Sequence, residues 1–194
     1  MLGLLTPTDP RWVEAAEANL PELLSDHAHC ELKAAVSALS LVSRFGAAYP
    51  ALIEPLSALA QEETEHFRAV QGELVRRETS LGRSDPDAYV NALWDLTKPE
   101  RARVHVLLDR LLVNALIEAR SCERFKLLSE QLSDAGLRAF YRDLMASEAR
   151  HFRLFCGLSE ELFGVKLARD RLSELSRREA GVASRLQLGP RVHG

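Results

Sequence analysis

A six-residue phrase that contains a glutamate and a histidine occurs twice in the chain. The two copies are Glu63-Thr64-Glu65-His66-Phe67-Arg68 and Glu148-Ala149-Arg150-His151-Phe152-Arg153. Residues three apart lie on one face of an α-helix, so each copy would present a carboxylate and an imidazole side by side. Carboxylate and imidazole groups are common ligands of iron and related metals. The repeated Glu-x-x-His pattern therefore predicts two pairs of metal ligands.

Two further glutamates complete the pattern. Glu31 and Glu118 each precede one of the Glu-x-x-His pairs by about thirty residues. In ferritin-like di-iron and di-manganese proteins, two helices supply one Glu each and two others supply a Glu-x-x-His pair. Iron is favoured over zinc, because structural zinc sites use thiolate ligands. We expect two metal ions to be bound by six residues: Glu31, Glu63, His66, Glu118, Glu148 and His151.

The acidic residues around His66 leave a choice of ligand. Glu65 is adjacent to the histidine and points to another face, whereas Glu62, four residues before it, could share its face. The second copy of the phrase has only the acid three residues before the histidine. We therefore prefer Glu63 to Glu62.

A second choice concerns Glu118 and Glu123. The dipeptide Cys122-Glu123 resembles Cys30-Glu31 and favours Glu123. With a hairpin turn near residue 133, however, Glu118 and Glu148 each lie about 15 residues from the turn and come level, given the helical rise of 1.5 Å per residue. Glu123 would be about 7 Å out of level. We therefore prefer Glu118.

The elements that must position these ligands are all helical, because no useful stretch alternates with a period of two. Four long helices are predicted, at about Pro21–Phe45, Ala51–Thr79, Glu100–Leu132 and from Ser133 or Asp134 to about Phe163. Short connections pair the first with the second and the third with the fourth, and about twenty residues cross over between the pairs. The predicted fold is therefore an all-α, ferritin-like four-helix bundle with a long crossover and short peripheral helices. We expect one domain over residues 1–194, with 168–194 as a peripheral helix and tail.

The composition is that of an ordinary globular chain. It has 194 residues, 46% of them hydrophobic, and no run of eighteen apolar residues that would span a membrane. The start lacks the basic region of a signal peptide and soon reaches the charged residues Asp9 and Arg11, so we expect a cytoplasmic protein. The three cysteines, Cys30, Cys122 and Cys156, are expected to be reduced thiols in the core.

The charge pattern leaves nucleic-acid binding open. The net charge is −3, yet only four of the 25 basic residues are lysine and the rest are arginine. Arginine grips phosphate with two parallel hydrogen bonds. The alternative explanation is a GC-rich genome, which encodes arginine in place of lysine throughout.

Several other residues allow two interpretations. His27 and His29 lie near Glu31 and are either surface residues or neighbours of a ligand; His105 and His193 are expected at the surface. Tyr89 and Trp94 in the crossover either cover a substrate pocket or anchor the long connection by hydrophobic packing.

The ligand phrases, together with Glu118-Ala119-Arg120-Ser121-Cys122-Glu123-Arg124-Phe125, resemble the MiaE family of bacterial tRNA hydroxylases. The resemblance extends from about Leu4 to Leu167. It implies a non-haem di-iron monooxygenase with the six residues named above as iron ligands. It also implies hydroxylation of the isopentenyl side chain of 2-methylthio-isopentenyladenosine, just 3′ of the tRNA anticodon.

The same resemblance implies partners. Dioxygen would be a co-substrate, and the electrons would come from a separate reductase. We expect a monomer or dimer that binds the tRNA anticodon stem-loop and no membrane. Five arginines near the ligands are candidates to hold loop phosphates or, alternatively, to neutralise buried carboxylates: Arg68, Arg120, Arg124, Arg150 and Arg153.

Three alternatives compete with this function. One is another ferritin-like oxygenase, such as the family that hydroxylates ubiquinone precursors, which shares the six-ligand arrangement but would require an apolar helix surface facing a membrane. Another is iron storage or peroxide detoxification, which would require a cage-forming protein. The last is a helical bundle without metal.

Overall fold

The computed structural model describes residues 2–98 and 104–193, and within these ranges the chain forms helices and no strands. The helices are α1 (Trp12–Ala18), α2 (Leu20–Phe45), a short 3₁₀ helix (Pro50–Leu52), α3 (Ile53–Arg76), α4 (Ala88–Thr97), α5 (Val106–Gln131), α6 (Ala135–Phe163) and α7 (Val165–Ala183). The predicted all-α class is confirmed. No helix in the described ranges is long and apolar enough to cross a bilayer.

The ends of α6 follow from two residues that the sequence marks. Asp134 precedes the helix, and its Oδ1 accepts hydrogen bonds from the backbone N–H groups of Gly136 and Leu137 at 2.8 Å and 3.1 Å. Such a cap satisfies backbone donors that have no partner within the helix. At the other end Gly164 has a φ of 87°, which glycine adopts without steric cost. The observed helix, Ala135–Phe163, therefore agrees with the bounds predicted from the sequence.

Other predicted ends differ from the structure. Helix α3 ends at Arg76 rather than near Thr79, because the chain turns into a left-handed conformation at Glu78, where φ is 53°. The predicted start of the third long helix at Glu100 lies outside the described residues, and α5 begins at Val106. Helix α7 begins at Val165, three residues before the predicted start of the peripheral segment at residue 168, and ends at Ala183.

The helices group into two compact units. One unit comprises residues 15–86 and 189–192, and we call it the α2–α3 unit. Its two long helices pack as an antiparallel hairpin, joined by the turn at residues 46–52. The apolar residues buried on these helices include Leu24, Ala28, Ala35, Ala38, Leu56, Leu59, Ala60, Val70 and Leu74. Glu31 and Glu63 fall in the same helical register as these residues and are therefore buried with them.

The other unit comprises the described parts of residues 1–14, 87–188 and 193–194, and we call it the α5–α6 unit. Helices α5 and α6 form its hairpin, and α4 and α7 both pack against it. The apolar core includes Tyr89, Leu93, Leu108, Leu112, Leu116, Ala168 and Leu175. Most of α5 is buried, so its polar side chains need partners inside the protein. Asp109, for example, accepts hydrogen bonds from Arg171 of α7 at 2.7 Å and 3.1 Å.

The cysteines are thiols rather than disulfides, as predicted. The predicted core position is confirmed for Cys122, which is buried, but is wrong for Cys30 and Cys156, which are half-buried. Burial raises the pKa of both Cys122 and Cys156 to about 11, because an apolar environment disfavours the thiolate. These two thiols are therefore protonated and weakly nucleophilic at neutral pH.

Candidate metal centre

Three of the predicted ligands lie together in the α2–α3 unit. Glu31 projects from α2, and Glu63 and His66 project from one face of α3. The Nδ1 atom of His66 lies 3.1 Å from Glu63 Oε2 and 3.7 Å from Glu31 Oε2. One donor atom from each of the three residues lies within 4.8 Å of the other two. This spacing is what a single cation between them requires.

The structure also separates Glu63 from its competitor Glu62. The side chain of Glu63 is 0% exposed, whereas that of Glu62 is 35% exposed. The Oε1 atom of Glu62 lies 3.7 Å from Nε2 of His66, whereas Oε2 of Glu63 lies 3.1 Å from Nδ1, the other ring nitrogen. Glu63 is therefore the inner carboxylate of the pair.

His27 contacts the same cluster. Its side chain is fully buried, and its Nε2 atom lies 2.6 Å from Oε1 of Glu31, one helical turn away. The sequence left open whether His27 is a surface residue or a neighbour of a ligand. The structure shows that it is a buried neighbour of Glu31. His29 is half-buried and hydrogen bonds through Nε2 to the backbone oxygen of Gly82 at 2.9 Å.

Hydrogen bonding governs the protonation of this cluster in the absence of a cation. Burial would raise the pKa of Glu31, but hydrogen bonds from His27 and His66 outweigh burial and hold that pKa well below its usual range. Burial would lower the pKa of His66, but the Glu31 and Glu63 carboxylates outweigh it and raise the pKa to about 10. Without metal, the imidazolium of His66 partly compensates the two carboxylates.

The other three predicted ligands lie together in the α5–α6 unit. Glu118 of α5 and Glu148 and His151 of α6 are all buried. The Nδ1 atom of His151 lies 3.9 Å from Glu118 Oε2, and one donor atom from each residue lies within 4.8 Å of the other two. Glu118 and the Glu-x-x-His pair of α6 are thus level, as the helical rise predicted.

Glu123 serves a different purpose. It accepts hydrogen bonds from the backbone N–H and the hydroxyl of Thr8 at 3.0 Å and 2.8 Å, and it is paired with Arg120. Five residues correspond to about 140° around a helix, so Glu118 and Glu123 point in different directions. The contacts of Glu123 therefore hold the N-terminal segment against α5.

Two of the candidate phosphate-binding arginines are engaged inside the protein. Arg120 is 1% exposed and is paired with Glu123 and, at 2.5 Å, with Glu179 of α7. The guanidinium of Arg124 lies 4.7 Å from the centre of the Trp12 ring. Burial and then the positive charge of Arg120 lower the pKa of Arg124 to about 10. Both side chains stabilise the packing of α5.

The other three candidate arginines, Arg68, Arg150 and Arg153, are exposed. Arg150 donates a hydrogen bond to the Ser147 hydroxyl at 2.8 Å. Arg68 is about 140° around α3 from Glu63, and Arg153 is about 160° around α6 from His151. Closeness in sequence therefore does not place these arginines on the ligand-bearing faces, although their charges are accessible.

The prediction that His193 lies at the surface is wrong. This residue is buried, and its ring stacks on Tyr89 with 5.5 Å between ring centres. Its Nδ1 and Nε2 atoms lie 2.8 Å from Asp87 Oδ2 and 2.9 Å from the Ser121 hydroxyl. No sequence signal marked this contact, because it joins residues far apart in the chain. His105, by contrast, is exposed as predicted.

The aromatic residues of α4 act as anchors. Tyr89 is fully buried and donates a hydrogen bond from its hydroxyl to Glu179 at 2.9 Å. Trp94 is half-buried and lies 5.5 Å from the Arg110 guanidinium. The structure thus favours the second of the two roles considered for these rings.

Comparison with a solved structure defines the class of protein. The chain matches "Protein 43 with aldehyde deformylating oxygenase activity" from Synechococcus with a TM-score of 0.91 and 40% sequence identity. The match covers 98% of this chain and 95% of the other. The fold is that of a ferritin-like helical oxygenase, which confirms the predicted four-helix fold class.

Sequence comparison defines the family within this class. The family model described as tRNA-(MS2IO6A)-hydroxylase (MiaE) matches residues 2–194. Two relatives carry the name tRNA 2-(methylsulfanyl)-N(6)-isopentenyladenosine(37) hydroxylase. The Pseudomonas putida relative is 42% identical over 79% of this chain and 73% of its own, and the Salmonella typhimurium relative is 29% identical over 80% and 74%. The chain belongs to the MiaE family, and the resemblance noted from its motifs is confirmed.

Proposed function

We propose that this protein is a dioxygen-dependent di-iron monooxygenase that hydroxylates the isopentenyl side chain of 2-methylthio-isopentenyladenosine at tRNA position 37. The substrate follows from the family and from the names of its relatives. The observation that carries the chemistry is the presence, in each unit, of two buried glutamates beside one histidine. This donor set is the one that ferritin-like di-iron proteins use.

The residues present fit a pair of iron ions. Burying four carboxylates is costly unless cations or hydrogen bonds compensate their charge. Carboxylate oxygen and imidazole nitrogen suit iron, whereas the thiolates that structural zinc sites prefer are not among these ligands. We therefore propose that two iron ions are held by Glu31, Glu63, His66, Glu118, Glu148 and His151.

The bound iron pair would supply the activation of dioxygen. The protein residues would hold the metal through six side chains and leave coordination positions for the co-substrate. Their burial would keep bulk water away from the reacting C–H bond. The reaction places one oxygen atom in a new C–O–H group and releases the other as water, which consumes two electrons and two protons. We propose a separate reductase as the electron donor.

The base next to the anticodon lies in a single-stranded loop, where a protein can unstack and bind it. We propose that the exposed Arg68, Arg150 and Arg153 contact loop phosphates, and that the buried Arg120 and Arg124 act only within the protein. A tRNA substrate also supports a cytoplasmic location, with a monomer or dimer as the active form.

The test is direct conversion of tRNA. Protein loaded anaerobically with Fe²⁺ is mixed with tRNA that carries 2-methylthio-isopentenyladenosine, a chemical reductant and air, and the digested nucleosides are analysed by mass spectrometry. We expect a nucleoside heavier by one oxygen atom, with none from the His66→Ala variant. Two bound irons without this product would contradict the proposed substrate, and wild-type protein that binds no iron would contradict the proposed centre.

The solved relative supplies a second candidate, because its name describes aldehyde deformylating activity and it is 40% identical to this chain. The same iron-loaded protein should therefore be given a long-chain aldehyde in a parallel reaction. Consumption of the aldehyde without hydroxylation of tRNA would contradict tRNA as the substrate and support an aldehyde substrate. It would leave the proposed di-iron chemistry unchanged.

A further inference from the structure

His27 and Glu31 form a short hydrogen bond inside the α2–α3 unit. They lie one turn apart on α2, and 2.6 Å separates His27 Nε2 from Glu31 Oε1. His27 is 0% exposed and the Glu31 side chain is 5% exposed, so bulk water does not compete for this contact. A carboxylate can only accept, so Nε2 carries the proton and donates it.

This bond distinguishes the two oxygens of Glu31. Oε1 is held by His27, whereas Oε2 lies on the side of His66, at 3.7 Å from its Nδ1 atom. His66 Nδ1 in turn lies 3.1 Å from Glu63 Oε2. The oxygen that faces the other donors of this unit is therefore Oε2.

The orientation of a ligand carboxylate determines how many coordination positions it occupies. A carboxylate binds a cation through one oxygen or through both. A hydrogen bond that holds one oxygen disfavours binding through both, and partners of this kind commonly orient metal ligands. With His27 in place, Glu31 has one oxygen available for iron.

We propose that His27 is a positioning residue that makes Glu31 bind iron through Oε2 alone and so keeps one coordination position open. This inference rests on the proposed di-iron centre. It assigns a role to a residue outside the six ligands and predicts a change in metal geometry when the donor is removed.

The test measures metal binding rather than turnover. His27→Phe removes the donor and keeps an aromatic ring of similar size, and His27→Met is a second variant without a donor in case the first does not fold. Each protein, with its fold checked by circular dichroism, is titrated with Co²⁺ in place of iron. Affinity is measured by calorimetry and coordination number by the intensity of the visible absorption.

We expect the donor-free variants to bind Co²⁺ about 10- to 100-fold more weakly. Their visible absorption should also weaken, since a higher coordination number lowers the intensity of these bands. His27→Gln, which retains a donor, should recover part of both properties. His29→Phe is the matched control, because it makes the same change on the same helix at a residue that bonds Gly82 instead of Glu31.

A double substitution tests whether His27 acts through Glu31. In a Glu31→Ala background, His27→Phe should have no further effect on affinity or absorption. Unchanged affinity and spectrum in the folded donor-free variants would overturn the role of His27 and leave the di-iron centre standing. Wild-type protein that binds no Co²⁺ or Fe²⁺ would instead overturn the proposed function.

Discussion

Two glutamates five residues apart on α5 have different environments. Glu118 lies beside His151, whereas Glu123 accepts hydrogen bonds from Thr8 and pairs with Arg120. Both lie on one helix and project in directions about 140° apart. They therefore form a matched pair for separating metal binding from stability.

We predict that Glu118→Gln reduces the iron content from two ions per chain to fewer than one, because it removes a negatively charged ligand. Glu123→Gln should leave the iron content unchanged but lower the free energy of unfolding by about 1–3 kcal/mol, since Arg120 loses a charged partner inside the protein. Metal analysis and urea denaturation give the two readouts. Equal loss of iron in both variants would contradict the assignment of Glu118.

Among the elements, α4 depends on the end of the chain. Asp87 precedes the helix, and its Oδ1 accepts a hydrogen bond from the backbone N–H of Val90 at 2.9 Å. Its Oδ2 accepts a second bond from Nδ1 of His193, and Nε2 of the same ring lies 2.9 Å from the Ser121 hydroxyl. The two ring nitrogens thus contact two different residues. His193 thereby links the start of α4 to α5.

We predict that His193→Ala lowers the free energy of unfolding by about 1–3 kcal/mol, because the buried Ser121 and the half-buried Asp87 each lose a hydrogen-bond partner. Amide hydrogen exchange in the first turn of α4 should become faster. Leu188→Ala, at an exposed position near the same terminus, serves as the control and should change stability little. Identical unfolding curves for the two variants would show that the tail contact does not support α4.

At the scale of the whole molecule, charge alone does not explain binding to tRNA. The net charge is −3, so the protein as a whole does not attract a polyanion. Attraction must come from local groups of arginine. For this reason, the proposed function depends on the exposed arginines for binding to tRNA.

We predict that replacing Arg68, Arg150 and Arg153 with alanine weakens binding to the anticodon stem-loop and lowers the slope of log affinity against log salt by about 0.7–0.9 per lost phosphate contact. The control is Arg177→Ala, since Arg177 is also exposed and also bonds a serine one turn earlier, Ser173. Fluorescence anisotropy at several salt concentrations gives both quantities. An unchanged slope of log affinity against log salt in the triple variant would show that these three residues do not contact the tRNA phosphates.

The assignment of residues 1–194 to one domain, with 168–194 at its periphery, stays a prediction. The structure does show that α7 contributes Ala168, Leu175 and Val182 to the buried apolar core of the α5–α6 unit. It also shows that Arg171 and Glu179 of α7 make buried ion pairs with α5.

The sequence by itself predicted the helices, the fold class and the family. It also predicted which donor residues lie side by side. The helices and the neighbouring donors follow from local periodicity, whereas the family follows from the resemblance of the motifs. The spacing Glu-x-x-His puts two side chains on one helical face, and the rise per residue across a short turn makes Glu118 level with Glu148. Both arguments hold without knowledge of any distant contact.

Only the tertiary structure revealed the partners that surround these donors. The burial of His27, the pairing of Arg120 with Glu179, and the contact of His193 with Asp87 and Ser121 have no counterpart in a helical repeat. Most of these pairs join residues that are far apart in the chain, and most of the side chains are buried because other segments cover them. Which polar groups need partners, and which groups supply them, is decided when those segments pack together.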